Sequence, residues 1–261
     1  MTKALRTLAA AGAMLVATAA GHAGVVNIGG LNVPAGGTFS VGQIYENVPT
    51  QVGDTLAGYG KVDSINSMAV GTLCSGCELT YQFGGYTVSS LSSTEVRFKG
   101  GWIKFFLGFG IDNDFDTGNG GGSAGDLAEA NNGTLFLALK GHAIDAAGNT
   151  FVGTGSHIGT PVPTGFGTGL ADVDFASSGI ANAFFDTDSI FSAFGGPADF
   201  EIGSSFSGLH PLYPRECPHG PACLRGSADL TTASAVPEPA SMALVLSALG
   251  ALALSARRRK H

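Results

Sequence analysis

Residues Glu78–Phe109 read ELTYQFGGYTVSSLSSTEVRFKGGWIKFFLGF. Runs rich in β-branched and aromatic residues alternate here with Gly-Gly, Ser-Ser-Thr and a second Gly-Gly. Because such runs between turn-forming residues are typical of strands, the segment predicts strands at Glu78–Phe83, Tyr86–Leu91, Glu95–Lys99 and Trp102–Phe109. A Gly-Gly pair between two strands is a hairpin signal, so Gly84-Gly85 and Gly100-Gly101 are each predicted to form a tight turn.

The same alternation of short apolar runs with Gly, Ser, Asn and Asp continues on both sides of this segment. Glycine supplies 41 of the 261 residues, a share that long helices tolerate poorly and that turn-rich all-β folds accommodate. Helix is expected only at Gly125–Asn131 and Ile180–Phe194. Further strands are predicted near Phe39–Tyr45, Leu56–Ile65, Thr134–His142, Thr150–Gly155, Leu170–Phe175, Phe200–Phe206 and Ser227–Thr232. The sequence therefore predicts an all-β domain of the β-sandwich or jelly-roll type with few short helices.

The N-terminal segment has the pattern of a secretory signal. Lys3 and Arg6 precede an alanine-rich apolar stretch, Leu8–Ala20. Gly21 and Ala23 place small residues at the −3 and −1 positions of a cut after Ala23. Residues 1–23 are therefore predicted to be a signal peptide with a helical apolar region, and signal peptidase is an expected partner.

The C-terminal segment 236–261 has three parts in a fixed order. Two prolines favour an extended backbone at its start. The uncharged run 240–256 then has about 17 residues, the short end of what spans a bilayer core as a helix. A basic cluster follows and is expected to stay on the cytoplasmic side. The first part is Val236, Pro237, Glu238 and Pro239, and the basic cluster is Arg257, Arg258, Arg259 and Lys260.

In this order the three parts resemble the PEP-CTERM sorting signal, which exosortases process in Gram-negative bacteria, usually beside exopolysaccharide machinery. The resemblance covers residues 236–261 and implies that residues 24–235 are the exported domain. It implies transient anchoring in the inner membrane through a C-terminal transmembrane helix, processing by an exosortase-type enzyme, and transfer to the cell surface or extracellular matrix. Some proteins with this signal are associated with flocculation, so a role in exopolysaccharide-associated biofilm or floc formation is expected.

Charge is distributed unevenly between the ends and the middle of the chain. Six of the 13 Lys and Arg residues lie in the two end segments, whereas only Glu238 of the 20 Asp and Glu residues does. Residues 24–235 therefore carry seven cationic against 19 anionic side chains, a formal charge of about −12. A surface this acidic repels nucleic acid and attracts cations, which excludes nucleic-acid binding as the function.

Four cysteines form two close pairs in the sequence. An even number in an exported protein predicts disulfides. Because both segments are rich in turn-forming residues, local bridges are expected between Cys74 and Cys77 and between Cys217 and Cys223. A zinc site with Cys74 and Cys77 on one side and Cys217, Cys223 or His219 on the other is one alternative. A redox-active CxxC is another, but the motif precedes a strand-like run and lacks the helix that would lower a thiol pKa.

An acidic segment after the predicted strand Trp102–Phe109 resembles the front half of a calcium loop. Asp112, Asp114 and Asp116 alternate with other residues, and oxygen ligands at this spacing can turn toward one ion. The match to an EF-hand is poor, since Thr117 stands where glycine is required and Ser123 where a bidentate Glu is required. Calcium is the candidate ligand, and a solvated loop is the alternative.

Catalytic motifs lack the context that their chemistry requires. Gly121–Gly125 fits the GxSxG pattern around Ser123, but Asp, Asn and Gly precede it instead of a strand. The histidines show no metalloprotease spacing. We therefore expect a non-enzymatic protein without a cofactor, calcium excepted. The alternative is a secreted carbohydrate-binding or carbohydrate-active protein on a jelly-roll scaffold, although Trp102 and five tyrosines are few aromatic residues for stacking on sugars.

Overall fold

The computed structural model describes residues 25–34, 36–117, 122–208 and 223–232. These belong to one compact unit, Val25–Ala235. Its strands are β1 Val26–Ile28, β2 Leu31–Val33, β3 Gly37–Asn47, β4 Thr55–Lys61, β5 Ser64–Ile65, β6 Met68–Ala69, β7 Cys77–Leu91, β8 Glu95–Phe109, β9 Thr134–His142, β10 Asn149–Ser156, β11 Thr164–Val173, β12 Phe200–Gly208 and β13 Cys223–Thr232. Its helices are α1 Val70–Leu73, α2 Gly122–Glu129 and α3 Asn182–Phe185, with a 3₁₀ turn at Gly110–Asp112.

Eight antiparallel strands form one sheet that closes on itself in a barrel-like shape. The order β3, β4, β7, β8, β10, β11, β12, β13 follows the chain, and β13 returns to pair with β3. This last pairing runs from Cys223 opposite Asn47 to Thr232 opposite Gly37. The all-β prediction is confirmed, but one closed sheet replaces the expected two-layered sandwich. Because β13 pairs with β3, neither of these strands is left as an open edge.

Two strands share one position in the closed sheet. β9 pairs with Trp102–Leu107 of β8 and with Leu170–Val173 of β11. β10 pairs with the other halves of the same two strands, Glu95–Lys99 and Thr164–Gly169. β9 and β10 therefore run in the same direction, one after the other, and the loop between them leaves the sheet at its middle.

The two glycine pairs do not form the predicted hairpin turns. β7 and β8 are continuous 15-residue strands, and Gly84 lies opposite Trp102 while Tyr86 lies opposite Gly100. The turn between them is at Ser92–Thr94, where the Ser92 hydroxyl accepts hydrogen bonds from the N–H groups of Thr94 and Glu95. Positive φ values at Gly85 (73°), Gly100 (71°) and Gly101 (93°) mark a paired bend, which a closed sheet needs and which glycine accepts without strain.

The core fills one end of the closed sheet, which we call the packed end. Five buried phenylalanine side chains meet there, with neighbouring ring centroids 5.4 to 6.4 Å apart. The β1–β2 hairpin and α1 add Leu31, Val33, Val70 and Leu73 to the same core. The phenylalanines are Phe39, Phe105, Phe136, Phe185 and Phe200.

Most other predicted elements have counterparts in the structure, with shifted limits. The strand predicted at Thr134–His142 is β9 to the residue, whereas β11 begins at Thr164, before the predicted Leu170. The predicted helix Gly125–Asn131 corresponds to α2, and Ile180–Phe194 contains only the four-residue α3. The predicted signal-peptide helix and C-terminal transmembrane helix lie outside the described residues. Within the described ranges, no helix has the length and apolar character needed to cross a membrane.

Candidate functional site

The end of the closed sheet opposite the packed end contains a cavity of about 100 Å³. We call this the cavity end. Side chains alternate between the inside and outside of a closed sheet, so its wall consists of the inward residues of the surrounding strands. The loops after β3 and between β10 and β11 add Val48, Pro49, Ile158 and Pro163. Apolar wall residues include Ile44, Leu56, Phe98, Phe151, Ile202 and Leu230.

A β-bulge turns an acidic residue of β3 into this cavity. Gly226 of β13 lies opposite Ile44, and Ala228 lies opposite Val41. Gly42 and Gln43 of β3 therefore together face the one residue between them on β13, Ser227. The extra residue reverses the inside–outside alternation. Tyr45 consequently points to the outer face, and Glu46 lines the cavity.

Glu46 is held in surroundings that disfavour its charge. Its exposed fraction is 9%, and burial raises the pKa of its carboxyl group to about 8. The carboxyl group is therefore mostly protonated at neutral pH and can donate a hydrogen bond. No hydrogen bond to this group comes from the described residues, although buried polar groups are nearly always paired.

Three other polar side chains border the cavity, namely Tyr81, Tyr86 and Ser204. The Tyr81 hydroxyl donates a hydrogen bond to the Gln43 carbonyl oxygen over 3.2 Å. Burial raises the pKa of Tyr81, and the nearby charges of Glu46 and Asp63 raise it further. Burial also raises the pKa of Tyr86. The tyrosines therefore stay neutral, and the cavity is an apolar space with a few uncharged hydrogen-bonding groups.

The predicted acidic segment is held as a structured loop on the outer face. The N–H groups of Asp114 and Phe115 donate to Glu78 Oε1 over 3.1 and 3.2 Å. Lys61 Nζ lies 2.7 Å from the other oxygen of the Glu78 carboxylate. Asn132 donates to Asp114 Oδ1 over 2.9 Å. The loop is thus fixed by a buried glutamate that the sequence reading did not single out.

The predicted calcium ligands do not converge on a common point. Asp112, Asp114 and Asp116 are exposed or half-buried, and the N–H of Asp116 donates to Glu129 Oε2 over 3.1 Å. Within the part of the chain that the structure describes, no group of three acidic, histidine or cysteine side chains is placed to hold a metal ion. Calcium binding therefore stays a prediction.

A second apolar cluster lies under this loop, on the outside of the sheet. Tyr45 and Tyr59 stack with ring centroids 5.6 Å apart, and Ala130, Phe115 and Leu127 pack against them. Asp126 of α2 is fully buried here and accepts a hydrogen bond from the Tyr59 hydroxyl over 3.3 Å. Burial raises the pKa of Asp126. This cluster attaches α2 to the sheet.

One of the two predicted disulfides lies within the described residues. Cys74 and Cys77 are joined by a disulfide that links the end of α1 to the start of β7. Cys217 lies outside the described residues. The bridge between Cys217 and Cys223 and the zinc alternative stay predictions.

A shallow groove on the outer face is lined by glycines and hydroxyl-bearing residues of β3 and of β10 to β13. Ser205 and Ser227 form a hydrogen bond of 2.9 Å, and Ser156 and Thr164 form another of the same length. Phe166 stands among these residues with 69% of its surface exposed. Gln43, Ser207 and Arg225 complete the polar lining.

The remaining predicted site residues lie in the terminal segment, outside the described ranges, and comparison with known families identifies them. Residues 235–260 match the family model of the PEP-CTERM protein-sorting motif. The chain carries a PEP-CTERM sorting signal. The match includes Val236, Pro237, Glu238 and Pro239 as well as the basic cluster Arg257 to Lys260.

The PEP-CTERM motif supports export of the protein and sorting to the cell surface by an exosortase-type system. No curated protein and no solved structure matches the chain significantly. The motif covers residues 235–260, so it describes the handling of the chain and not the chemistry of the closed sheet.

Glu46 is the functional candidate that the sequence reading missed. Strict alternation from Phe39 places residues 41, 43 and 45 inside and Glu46 outside. One signal was available in the sequence: Gly42-Gln43 interrupts an otherwise apolar inward pattern, as a bulge does. This interruption can be recognised as a bulge only when the pairing of β3 with β13 is known.

Proposed function

We propose that this protein is an exported surface or extracellular-matrix protein that contributes to exopolysaccharide-associated biofilm or floc formation. The PEP-CTERM motif at residues 235–260 carries the proposal, because it supports sorting by an exosortase-type system. In this proposal residues 1–23 are a signal peptide. The run 240–256 anchors the chain transiently in the inner membrane until the processing enzyme cleaves near Pro237–Pro239.

The charge of the exported domain supports a role in a hydrated matrix. A formal charge of about −12 keeps copies of the domain apart at low ionic strength. Acidic polysaccharide has the same sign, so contact with it requires bridging divalent cations. In this proposal exposed carboxylates of the domain, such as Asp114, take part in such bridging.

We further propose that the domain is not an enzyme. His142, a histidine inside the fold, supports this because both its ring nitrogens are used structurally. Nδ1 lies 2.8 Å from Asp172 Oδ1, and Nε2 lies 2.7 Å from the Phe194 carbonyl oxygen. The side chain thereby connects β9, β11 and the loop before β12, and neither nitrogen is left to act as a general base.

The hydroxyl-lined groove favours a second candidate function, carbohydrate binding. Ser, Thr and Gln side chains can hydrogen-bond to sugar hydroxyls, and the exposed ring of Phe166 offers a surface for stacking. Trp102 is less suited to this role. Its ring packs over Gly84 and Gly85, and Lys104 Nζ lies 5.5 Å from its centroid.

Replacing the sorting residues tests the proposal. Pro237→Ala/Glu238→Ala/Pro239→Ala should leave the chain uncleaved and membrane-bound, because the processing enzyme loses its extended recognition segment. Fractionated cells should show at least tenfold less released protein, and cell aggregation should fall to the level of a deletion strain. Glu201→Ala is the matched control, since it removes one exposed carboxylate from the sheet and should change neither measurement.

Equal release of the triple variant and the wild type would contradict the sorting assignment. Normal release with unchanged aggregation in the deletion strain would instead remove the matrix role. If Phe166→Ala abolishes retention of the purified protein on polysaccharide while a calcium chelator has no effect, carbohydrate binding becomes the better account.

A further inference from the structure

We propose that the cavity end of the closed sheet binds a small, uncharged, mainly apolar molecule that carries one carbonyl oxygen, and that Glu46 donates a hydrogen bond to this oxygen. The proposal concerns a different part of the molecule from the sorting signal. It assigns a ligand site to the domain whether or not the domain acts in a matrix.

The geometry of the sheet allows such a ligand. Closed sheets of eight strands have an interior just wide enough to be filled by side chains or to hold one small molecule. In this protein the two solutions occur in the same sheet, because phenylalanines fill the packed end and a cavity of about 100 Å³ lies at the other. One water needs about 10–15 Å³ on this scale, so the space suits roughly seven to ten non-hydrogen atoms.

The buried carboxyl group indicates that the cavity is a site and not a packing fault. A packing fault is lined by apolar groups, and apolar cavities in proteins stay dry. Here a glutamate is turned inward by the bulge at Gly42-Gln43, although burial of an unpaired carboxyl group is unfavourable. Leucine at this position would avoid that cost. A bound acceptor would pair the carboxyl group and offset the cost of burying it.

The wall of the cavity selects the class of ligand. The described wall residues include no Lys, Arg or His, so an anionic ligand would meet no opposite charge and would be repelled by any ionised Glu46. A sugar would press several hydroxyl groups against apolar side chains. A pure hydrocarbon would fit the wall but leave Glu46 unpaired. A ketone or ester with a short hydrocarbon chain satisfies both the wall and the carboxyl group.

The ionisable groups around Glu46 predict how binding depends on pH. Its neighbours on β4 and β13 are Gly58 and Leu224, which do not titrate. On β7 the ionisable wall residues are Tyr81 and Tyr86, and burial raises the pKa of both. Glu46 is therefore the first of these groups to ionise as the pH rises. Its anion cannot donate a hydrogen bond, so affinity should fall through a pH of about 8.

Titration of the exported protein with heptan-2-one, followed by amide chemical shifts, tests the assignment. At pH 6 we expect saturable shifts in residues of the cavity end and none at the packed end. Glu46→Leu should weaken binding about tenfold, the equivalent of one hydrogen bond. Glu46→Gln keeps a donor and should bind nearly as well as wild type, without the loss of affinity above pH 8.

Titrations with toluene and heptanoate separate the ligand classes, and a variant of the cavity wall tests the position of the site. Toluene has no hydrogen-bond acceptor, so it should bind to the wild type more weakly than heptan-2-one does. For the same reason, Glu46→Leu should bind toluene at least as tightly as the wild type does. Heptanoate should not bind. Ala228→Leu adds bulk to the cavity wall without removing a polar group, so it should weaken binding of both uncharged ligands.

Several outcomes would overturn the proposal. These are the absence of saturable shifts with heptan-2-one, equal affinity in the wild type and Glu46→Leu, and tighter binding of heptanoate than of the ketone. Tighter binding of heptylamine than of heptan-2-one would also overturn it, because heptylamine is an ammonium ion at pH 6 and would bind tightly only to an ionised Glu46. Circular dichroism of each variant confirms that it is folded.

Discussion

The packed end and the cavity end are built from the same eight strands, yet their interiors differ. At the packed end Phe39 lies within 5.4 Å of the rings of Phe105 and Phe185, centroid to centroid, and all three side chains are fully buried. At the cavity end neighbouring rings of the wall also touch, with the centroids of Tyr86 and Phe151 5.9 Å apart, but the inward side chains leave a space between them, and one of them is a glutamate.

One closed sheet can therefore combine a tightly packed end with an end that leaves internal space. Helices α1 and α3 and the β1–β2 hairpin contribute side chains to the packed end, where close packing yields most of the dispersion and hydrophobic stabilisation. Loops supply Val48, Pro49, Ile158 and Pro163 to the cavity end. Loops open at lower free energy than core strands, so this end is the better place for a small molecule to enter.

Truncating one phenylalanine at each end should give the largest effect. Phe39→Ala should lower the free energy of unfolding by about 3–5 kcal/mol, because it removes a ring enclosed by other rings. Phe98→Ala is the matched control, since Phe98 is also buried but borders the cavity. Phe98→Ala should lower the free energy of unfolding less than Phe39→Ala does, by a difference of about 1 kcal/mol or more, because fewer contacts are removed. Urea unfolding measures both, and equal losses would show that the ends are packed alike.

The next effect is the pH dependence that Glu46 gives to stability. The carboxyl pKa is 4.5 in the reference state and about 8 in the folded protein. Between these values the unfolded chain has lost this proton while the folded protein keeps it. The free energy of unfolding should therefore fall as pH rises from about 4.5 to about 8, with a slope approaching about 1.4 kcal/mol per unit.

Glu46→Gln should abolish this part of the pH dependence and make the protein more stable than wild type at pH 9, by up to a few kcal/mol. Thermal unfolding at a series of pH values measures it. Glu201→Gln, on the outer face of β12, is the control and should leave the wild-type slope unchanged. A wild-type slope that survives Glu46→Gln would show that other groups cause it.

A substitution at the bend should give the smallest loss of stability, and it should disturb the cavity end more than the packed end. Gly101 has a φ of 93°, and a Cβ atom there would overlap the ring of Tyr86. Gly101→Ala should cost about 1–2 kcal/mol and, by displacing Tyr86, weaken ligand binding at the cavity end. In contrast, Gly203→Ala adds its methyl group to open space and should change stability by less than about 0.5 kcal/mol. Similar losses in both variants would mean that the bend is not required.

The sequence predicted the strands well where composition alone defines them. β9 was placed to the residue, because a β-rich run lies between Asn-Asn-Gly and a turn at Asp145. The short β1–β2 hairpin was missed, since three-residue strands carry too little periodicity to be seen.

The glycine pairs were interpreted wrongly because local rules treat Gly-Gly between strands as a turn. Gly85 and Gly101 are each eight positions from Ser93, the middle of the turn that joins β7 and β8. This symmetry about Ser92–Thr94 was visible in the sequence and indicates a bend shared by two paired strands. Residue propensity cannot distinguish a hairpin turn from a bend in paired strands, because glycine is favoured in both for its ability to adopt positive φ.

The sequence alone identified the PEP-CTERM sorting signal, since residues 235–260 match the family model as a linear motif. It also determined the all-β class through alternation and glycine content. The direction of the Glu46 side chain, in contrast, is set by long-range strand pairing. The side-chain direction on β3 depends on a bulge, and that bulge exists because β3 pairs with β13, about 180 positions later in the chain. Local sequence cannot encode a direction that the closing pair of strands sets.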